Sequence, residues 1–153
     1  MAGETSRSFA VFLRAVQRFA AQAGGKDAAI DFVQAEPPDW QPSALGFDLI
    51  VTHFFLDCFP EPMLSQVVAS LALTAKPNAR WLVADFQIPP RGFDQVRART
   101  VLALAYTFFR RVTNLPADRL VPPDAALVRN GFQLHRRATY DCGLLRSDVW
   151  KRA

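Results

Sequence analysis

Three side chains able to do chemistry stand close together in the stretch Phe47-Asp-Leu-Ile-Val-Thr-His-Phe-Phe-Leu-Asp-Cys-Phe-Pro-Glu-Pro62: His53, Asp57 and Cys58. A thiol nucleophile needs a base within hydrogen-bond reach and an oxyanion site. Neighbouring positions in a chain do not supply that geometry, and no GxSxG nucleophile elbow occurs. A half-buried structural cysteine accounts for Cys58 more simply. Metal binding is disfavoured, because His53, Cys58, His135 and Cys142 lack the close pairs of zinc sites. Neither a P-loop nor any GxG is present to cradle a phosphate. Glu61, Asp94 and Asp124 flank expected helix starts, where carboxylates complement the helix dipole.

The elements that must hold the first cluster follow from periodicity and punctuation. Phe47 to Thr52 is an apolar run suited to a parallel strand covered on both faces. Pro60 and Pro62 open a helix over roughly 63–75, with Met63, Val67, Leu71 and Leu73 facing inward. Lys76-Pro-Asn-Ala79 reads as a turn before the strand Arg80–Phe86. A helix is expected over 93–113, amphipathic at first and nearly all apolar from Val101 to Phe109. Core burial, a lid over an apolar substrate and a homodimer contact all remain open for it. Pro122-Pro-Asp124 starts a short helix ending at Asn130-Gly131, and Phe132–Thr139 and Leu144–Trp150 read as an antiparallel pair. Upstream, a helix from Ser6 or Ser8 to about Gln22 ends at Gly24-Gly25, and Ala29–Gln34 alternates like a strand before Pro37-Pro38. Strand and helix alternate, so the fold class is α/β. In such sheets ligands sit beyond the carboxyl ends of the strands, which is where His53 to Cys58 falls.

Composition sets the outer bounds. At 153 residues the chain is read as a single domain, 1–153, with 50% hydrophobic and 21% charged residues. Thirteen Phe against two Tyr favour an apolar core and an apolar pocket. The net charge of +4 conceals an asymmetry: residues 1–75 sum to −4 and residues 76–153 to +8. Scattered arginines without aromatic platforms point to a solvated basic surface, and no nucleic-acid partner is expected. No apolar run is long enough for a membrane span. Two cysteines make no disulfide framework, and the first twenty residues have no signal-peptide core, so a cytoplasmic location is expected.

Four pieces in order carry a resemblance: Phe47–Asp57, Ala79–Phe86, Asn130-Gly-Phe132 and Gly143–Trp150. Together they resemble the later two thirds of a class I S-adenosylmethionine-dependent methyltransferase. The resemblance implies a Rossmann-like sheet, mainly parallel and closed by an antiparallel hairpin, with Phe47 opening the fourth strand and Arg80–Phe86 forming the fifth. It implies S-adenosylmethionine as cofactor and methyl transfer to a small apolar molecule. Glu4 matches the acidic residue that accepts from the cofactor ribose, and Glu36 the one that meets the adenine amino group. His53 and Phe54 match the loop that walls the methionine portion, largely through backbone. Asp57 faces either that pocket or the next helix start, where it would act as a cap. No catalytic residue is implied, since the cofactor is already a strong electrophile and alignment in a dry site suffices.

The family's first strand and glycine-rich loop would precede Glu4, so the chain is read as N-terminally truncated. In the family order 3-2-1-4-5-7-6, losing strands one and two leaves a gap of roughly 14 Å between strands three and four. Re-pairing, a partner that fills the gap, or a longer gene product would each resolve it. A non-catalytic remnant or interaction module that no longer binds the cofactor is the alternative function.

Overall fold

The computed structural model describes residues 46–113 and 116–153, all within the unit Pro37–Ala153. The helix expected near residues 6–22, the strand Ala29–Gln34, Glu4 and Glu36 lie outside the described residues. In chain order the elements are strand β1 (Phe47–His53), a 3-10 turn (Leu56–Cys58), helix α1 (Glu61–Leu73), strand β2 (Ala75–Phe86), helix α2 (Phe93–Thr113), helix α3 (Asp124–Arg129), and strands β3 (Phe132–Tyr140) and β4 (Leu145–Arg152). The sheet is mixed, in the order β1-β2-β4-β3. Among the described residues one pair, β1 with β2, is parallel and two are antiparallel.

Alternation along β1, β2 and β4 builds one buried face, which opens to solvent at β3. Ile50 lies beside Trp81, Trp81 opposite Trp150, and Trp150 opposite Leu134. One step toward the carboxyl end of β2 the row reads Thr52, Val83, Asp148, Arg137, and the next holds Asp85 opposite Arg146. The face therefore passes from aromatic to ionic within a few residues. At its apolar end Trp81 and Phe132 meet edge to face at 5.3 Å, and the Trp81 indole N–H donates to Thr52 Oγ1 at 3.0 Å. Leu64, Val67, Val68 and Ala72 of α1 and Leu127 of α3 close over this end. Each fully buried aliphatic side chain there contributes about 1.5–3 kcal/mol. A second cluster, Ala98, Leu102, Tyr106, Ala117 and Leu144, seats α2.

Three local expectations need correction. β1 is not covered on both faces: alternate residues turn to opposite sides, and Phe47, Leu49 and Val51 are 42%, 50% and 50% exposed while Ile50 and Thr52 are buried. Lys76–Ala79 is not a turn between elements but part of β2. Pairing runs Phe47 to Ala75 and then Leu49 to Arg80, so β2 carries extra residues at a bulge, with Asn78 left-handed at φ 65°. Pro77 has no N–H to give a ladder, and a bulge is where a strand tolerates it. Leu73 is not inward: it is 76% exposed, because the stripe Leu64-Val67-Val68-Ala72 points α1 inward and Leu73 stands about 100° around the helix from Ala72.

The β3–β4 connection is a tight reversal with Asp141 (φ 49°) and Cys142 (φ 52°) both left-handed. Such turns favour glycine or asparagine, and the outside support is Arg97 of α2. Its guanidinium grips both Asp141 carboxylate oxygens, at 2.8 and 3.0 Å, and the carbonyl at 3.2 Å.

Candidate active site

β1 ends where Phe54 turns left-handed (φ 47°) while its N–H still donates to the Ala84 carbonyl at 2.8 Å. That extends the parallel ladder one step and then swings the chain across the end of β2. Leu56, fully buried, pins the 3-10 turn to the core, and Asp57 beside it is 7% exposed. The Phe54 ring lies 5.1 Å from that of Phe86, the last residue of β2. From the other side α2 contributes Leu102, Ala105, Tyr106 and Phe109. Together with Asp57 and Cys58 these residues line a cavity of about 440 Å³, within the usual range for small-molecule sites.

Its electrostatics are those of the Asp57 carboxylate in an apolar wall, close to a second carboxylate, Asp85, with no ion pair to either among the described residues. Burial pushes the Asp57 carboxyl up, only partly offset by hydrogen bonds from Cys58 and Asp85. Burial, and then the charge of Asp57, hold Asp85 up to about 7. Asp85 is 1% exposed, and its Oδ1 accepts the Phe86 N–H at 2.8 Å. Burial and the Asp57 charge push the Cys58 thiol up to about 12, which removes it as a nucleophile at neutral pH. Tyr106 is raised as well, first by burial, and its hydroxyl donates to the Asp57 carbonyl at 3.1 Å.

A smaller cavity of about 300 Å³ adjoins it, sharing Phe86 and bounded by Asp124, Arg137 and Arg146. Here every carboxylate has a cation. Arg137 donates from Nε and Nη2 to the two Asp148 oxygens, both at 2.7 Å, and from Nη2 to Asp124 at 2.6 Å. Arg146 Nη1 reaches the second Asp124 oxygen at 2.6 Å. Burial alone would raise Asp124, but the two arginines more than offset it and its carboxyl is held below the usual range.

Of the residues singled out in the sequence, Phe54 and Asp57 line the larger cavity. His53 is exposed at the end of β1 and does not line it. Because the Phe54 N–H is bonded to Ala84, a ligand would meet the ring or the carbonyl rather than the amide. Sequence reasoning missed Asp85, Phe86 and Tyr106. Asp85 carried a signal, a carboxylate at the carboxyl end of a buried run; Tyr106 looked like one more member of an apolar helix.

The sheet order β1-β2-β4-β3, with its parallel pair and closing hairpin, corresponds to 4-5-7-6 of the class I methyltransferase sheet, and the described residues have that fold. Solved structures agree. The chain is similar to the mitomycin 7-O-methyltransferase MmcR, with TM-score 0.52 and 18% identity over 73% of this chain and 31% of that one. It is similar to LepI in its complex with SAM, at TM-score 0.56 and 14% identity over 74% of this chain and 28% of that one. An O-methyltransferase family protein from Burkholderia thailandensis matches at TM-score 0.51 and 13% identity, over 72% and 32% of the two chains. The chain thus spans about a third of the length of these structures. The sequence matches no family model and no curated protein sequence. Among the described residues no helix is long and apolar enough to cross a membrane.

Proposed function

We propose that the chain takes part in S-adenosylmethionine-dependent methyl transfer to a small, largely apolar molecule. The observation that supports this best is the aromatic cavity at the carboxyl ends of β1 and β2, in a sheet with methyltransferase order. When bound, the cofactor would supply an electrophilic methyl on a sulfonium. The residues present fit that end of it: Phe54 and Phe86 offer ring faces and Asp57 a carboxylate, both attractive to positive charge. On this reading Asp57 belongs to the methyl end. The chain's own work is alignment and water exclusion. Leu102, Ala105 and Phe109 wall one side with hydrocarbon, and the Tyr106 hydroxyl fixes that wall to the loop carrying Asp57.

A second reading is a non-catalytic interaction module that does not bind the cofactor. Titration calorimetry with S-adenosylhomocysteine separates the two. Micromolar binding supports the enzyme; silence from a sample with a cooperative unfolding transition supports the module.

A further inference from the structure

The walls of the larger cavity and the Asp57 carboxylate among them decide what kind of guest it can hold. Phe54, Phe86, Leu102 and Phe109 offer only hydrocarbon. Among the described lining residues three have polar side chains. The Tyr106 hydroxyl already donates to the Asp57 carbonyl. The Cys58 thiol sits 3.8 Å from the Phe54 carbonyl and 3.6 Å from Asp57 Oδ1, contacts too weak to balance a charge. That leaves the Asp57 carboxylate with acceptor capacity to spare. Behind it lies Asp85, and among the described residues neither joins an ion pair. The titratable groups around Asp57 are Asp85 on β2, Cys58 on its own turn and Tyr106 on α2. Arg146, opposite Asp85 on β4, lowers it by its charge and is itself paired with Asp124.

The geometry points to a small aromatic or alicyclic amine, bound as its ammonium, with its N–H groups on the Asp57 carboxylate and its body against Phe54, Phe86 and Phe109. An anionic guest would meet Asp57 and, among the described lining residues, no cation. A pure hydrocarbon would leave a desolvated carboxylate facing it, at a cost set by the missing hydrogen bonds. A neutral alcohol offers one donor and no charge. An ammonium offers up to three donors and the charge, and aromatic faces add to the attraction once water is excluded. The raised Asp57 and Asp85 carboxyls mark the same deficit: burial of both, with the Asp57 charge acting on Asp85, outweighs the opposing charge of Arg146 on Asp85, and among the described residues neither carboxylate joins an ion pair. The inference concerns binding of the amine in this cavity alone and does not make the protonated nitrogen a methyl acceptor, since an ammonium has no lone pair to attack a sulfonium.

Three probes of one shape test it by calorimetry or NMR titration of the full chain: 2-phenylethylamine, 2-phenylethanol and phenylacetate. The amine should bind about tenfold or more tighter than the alcohol, as a charge-assisted hydrogen bond implies, with phenylacetate weakest. Asp57→Asn should bring amine and alcohol to similar affinity. Ala105→Trp, which fills the cavity and leaves the carboxylate in place, should abolish binding of all three. A wild-type chain that fails to bind the amine, equal affinity for amine and alcohol, or a preference that survives Asp57→Asn overturns the proposal. Titrating S-adenosylhomocysteine into the same samples separates the two claims. Amine selectivity without cofactor binding sinks methyl transfer and keeps the site, and the reverse pattern does the opposite.

Discussion

Two groups of aspartates lie side by side on this sheet and are treated in opposite ways. Asp124 and Asp148 are met by Arg137 and Arg146 at 2.6–2.7 Å, and their charges are balanced in place. Asp57 and Asp85, a few residues away across Phe86, are buried among aromatic side chains without an ion pair among the described residues. The first arrangement secures the hairpin to α3. The second lowers stability and makes sense where a guest or a shared proton supplies what is missing. Even the paired group is imperfect: Arg146 Nε and Nη2 make no hydrogen bond among the described residues. Burying a charge is costly in both places, and only the paired group carries its own compensation.

The largest expected effect comes from breaking the paired group. Arg137→Met removes both ligands of Asp148, whose side chain is fully buried, leaving Arg146 at 3.7 Å. Removing one partner of a buried pair costs about 3–5 kcal/mol, and the partial exposure of Arg137 places this change near the lower end. Urea unfolding at neutral pH measures it, and a loss well under 1 kcal/mol would erase the contrast.

The unpaired group should respond in the other direction, and with pH. The folded chain keeps a proton on Asp85 up to about pH 7, whereas the unfolded chain releases it near the ordinary carboxylate value of 3.8. The native state then binds more protons across that window, so stability falls as pH rises from about 4 to about 7. Asp85→Asn keeps an acceptor for the Phe86 N–H and removes the titration. The variant should show a flatter stability curve over that range and match or exceed the wild type at pH 8. A variant clearly weaker at pH 8 would place Asp85 with the structural carboxylates instead.

The smallest effect calibrates the other two. Lys76 and Asp48 meet at 2.8 Å in full view of solvent, with side chains 48% and 82% exposed. Lys76→Ala should cost under about 1 kcal/mol and lose even that in high salt. A larger loss would show that burial is not what separates the charge pairs of this molecule.

The paired elements were the readable part of the sequence. Phe47–Thr52 and Arg80–Phe86 announced themselves by apolar runs, and α2 was readable from 93 to 113 because its period is strong. The bulge at Lys76–Ala79 was not readable, since Pro77-Asn78 has the chemistry of a turn and only pairing with Phe47 makes it strand. The candidate site was half legible. Phe54 and Asp57 follow a strand and sit where ligands gather, but Asp85 meets Asp57 across 28 positions and Tyr106 across 49. Neighbourhoods of that kind are made by strand pairing and helix docking, for which local patterns hold no mark.

The bond from the Tyr106 hydroxyl to the Asp57 carbonyl is a latch between α2 and the loop that closes the cavity floor. Any lifting of the helix away from Asp57 has to break it, so exchange of a guest by that route and the swing of α2 would run on one clock. A single neutral hydrogen bond is worth about 0.5–1.5 kcal/mol net, enough to choose the resting pose and too little to seal the door. Because the phenol is raised, its proton stays on through the neutral range, and the latch holds at the pH where Asp85 changes charge.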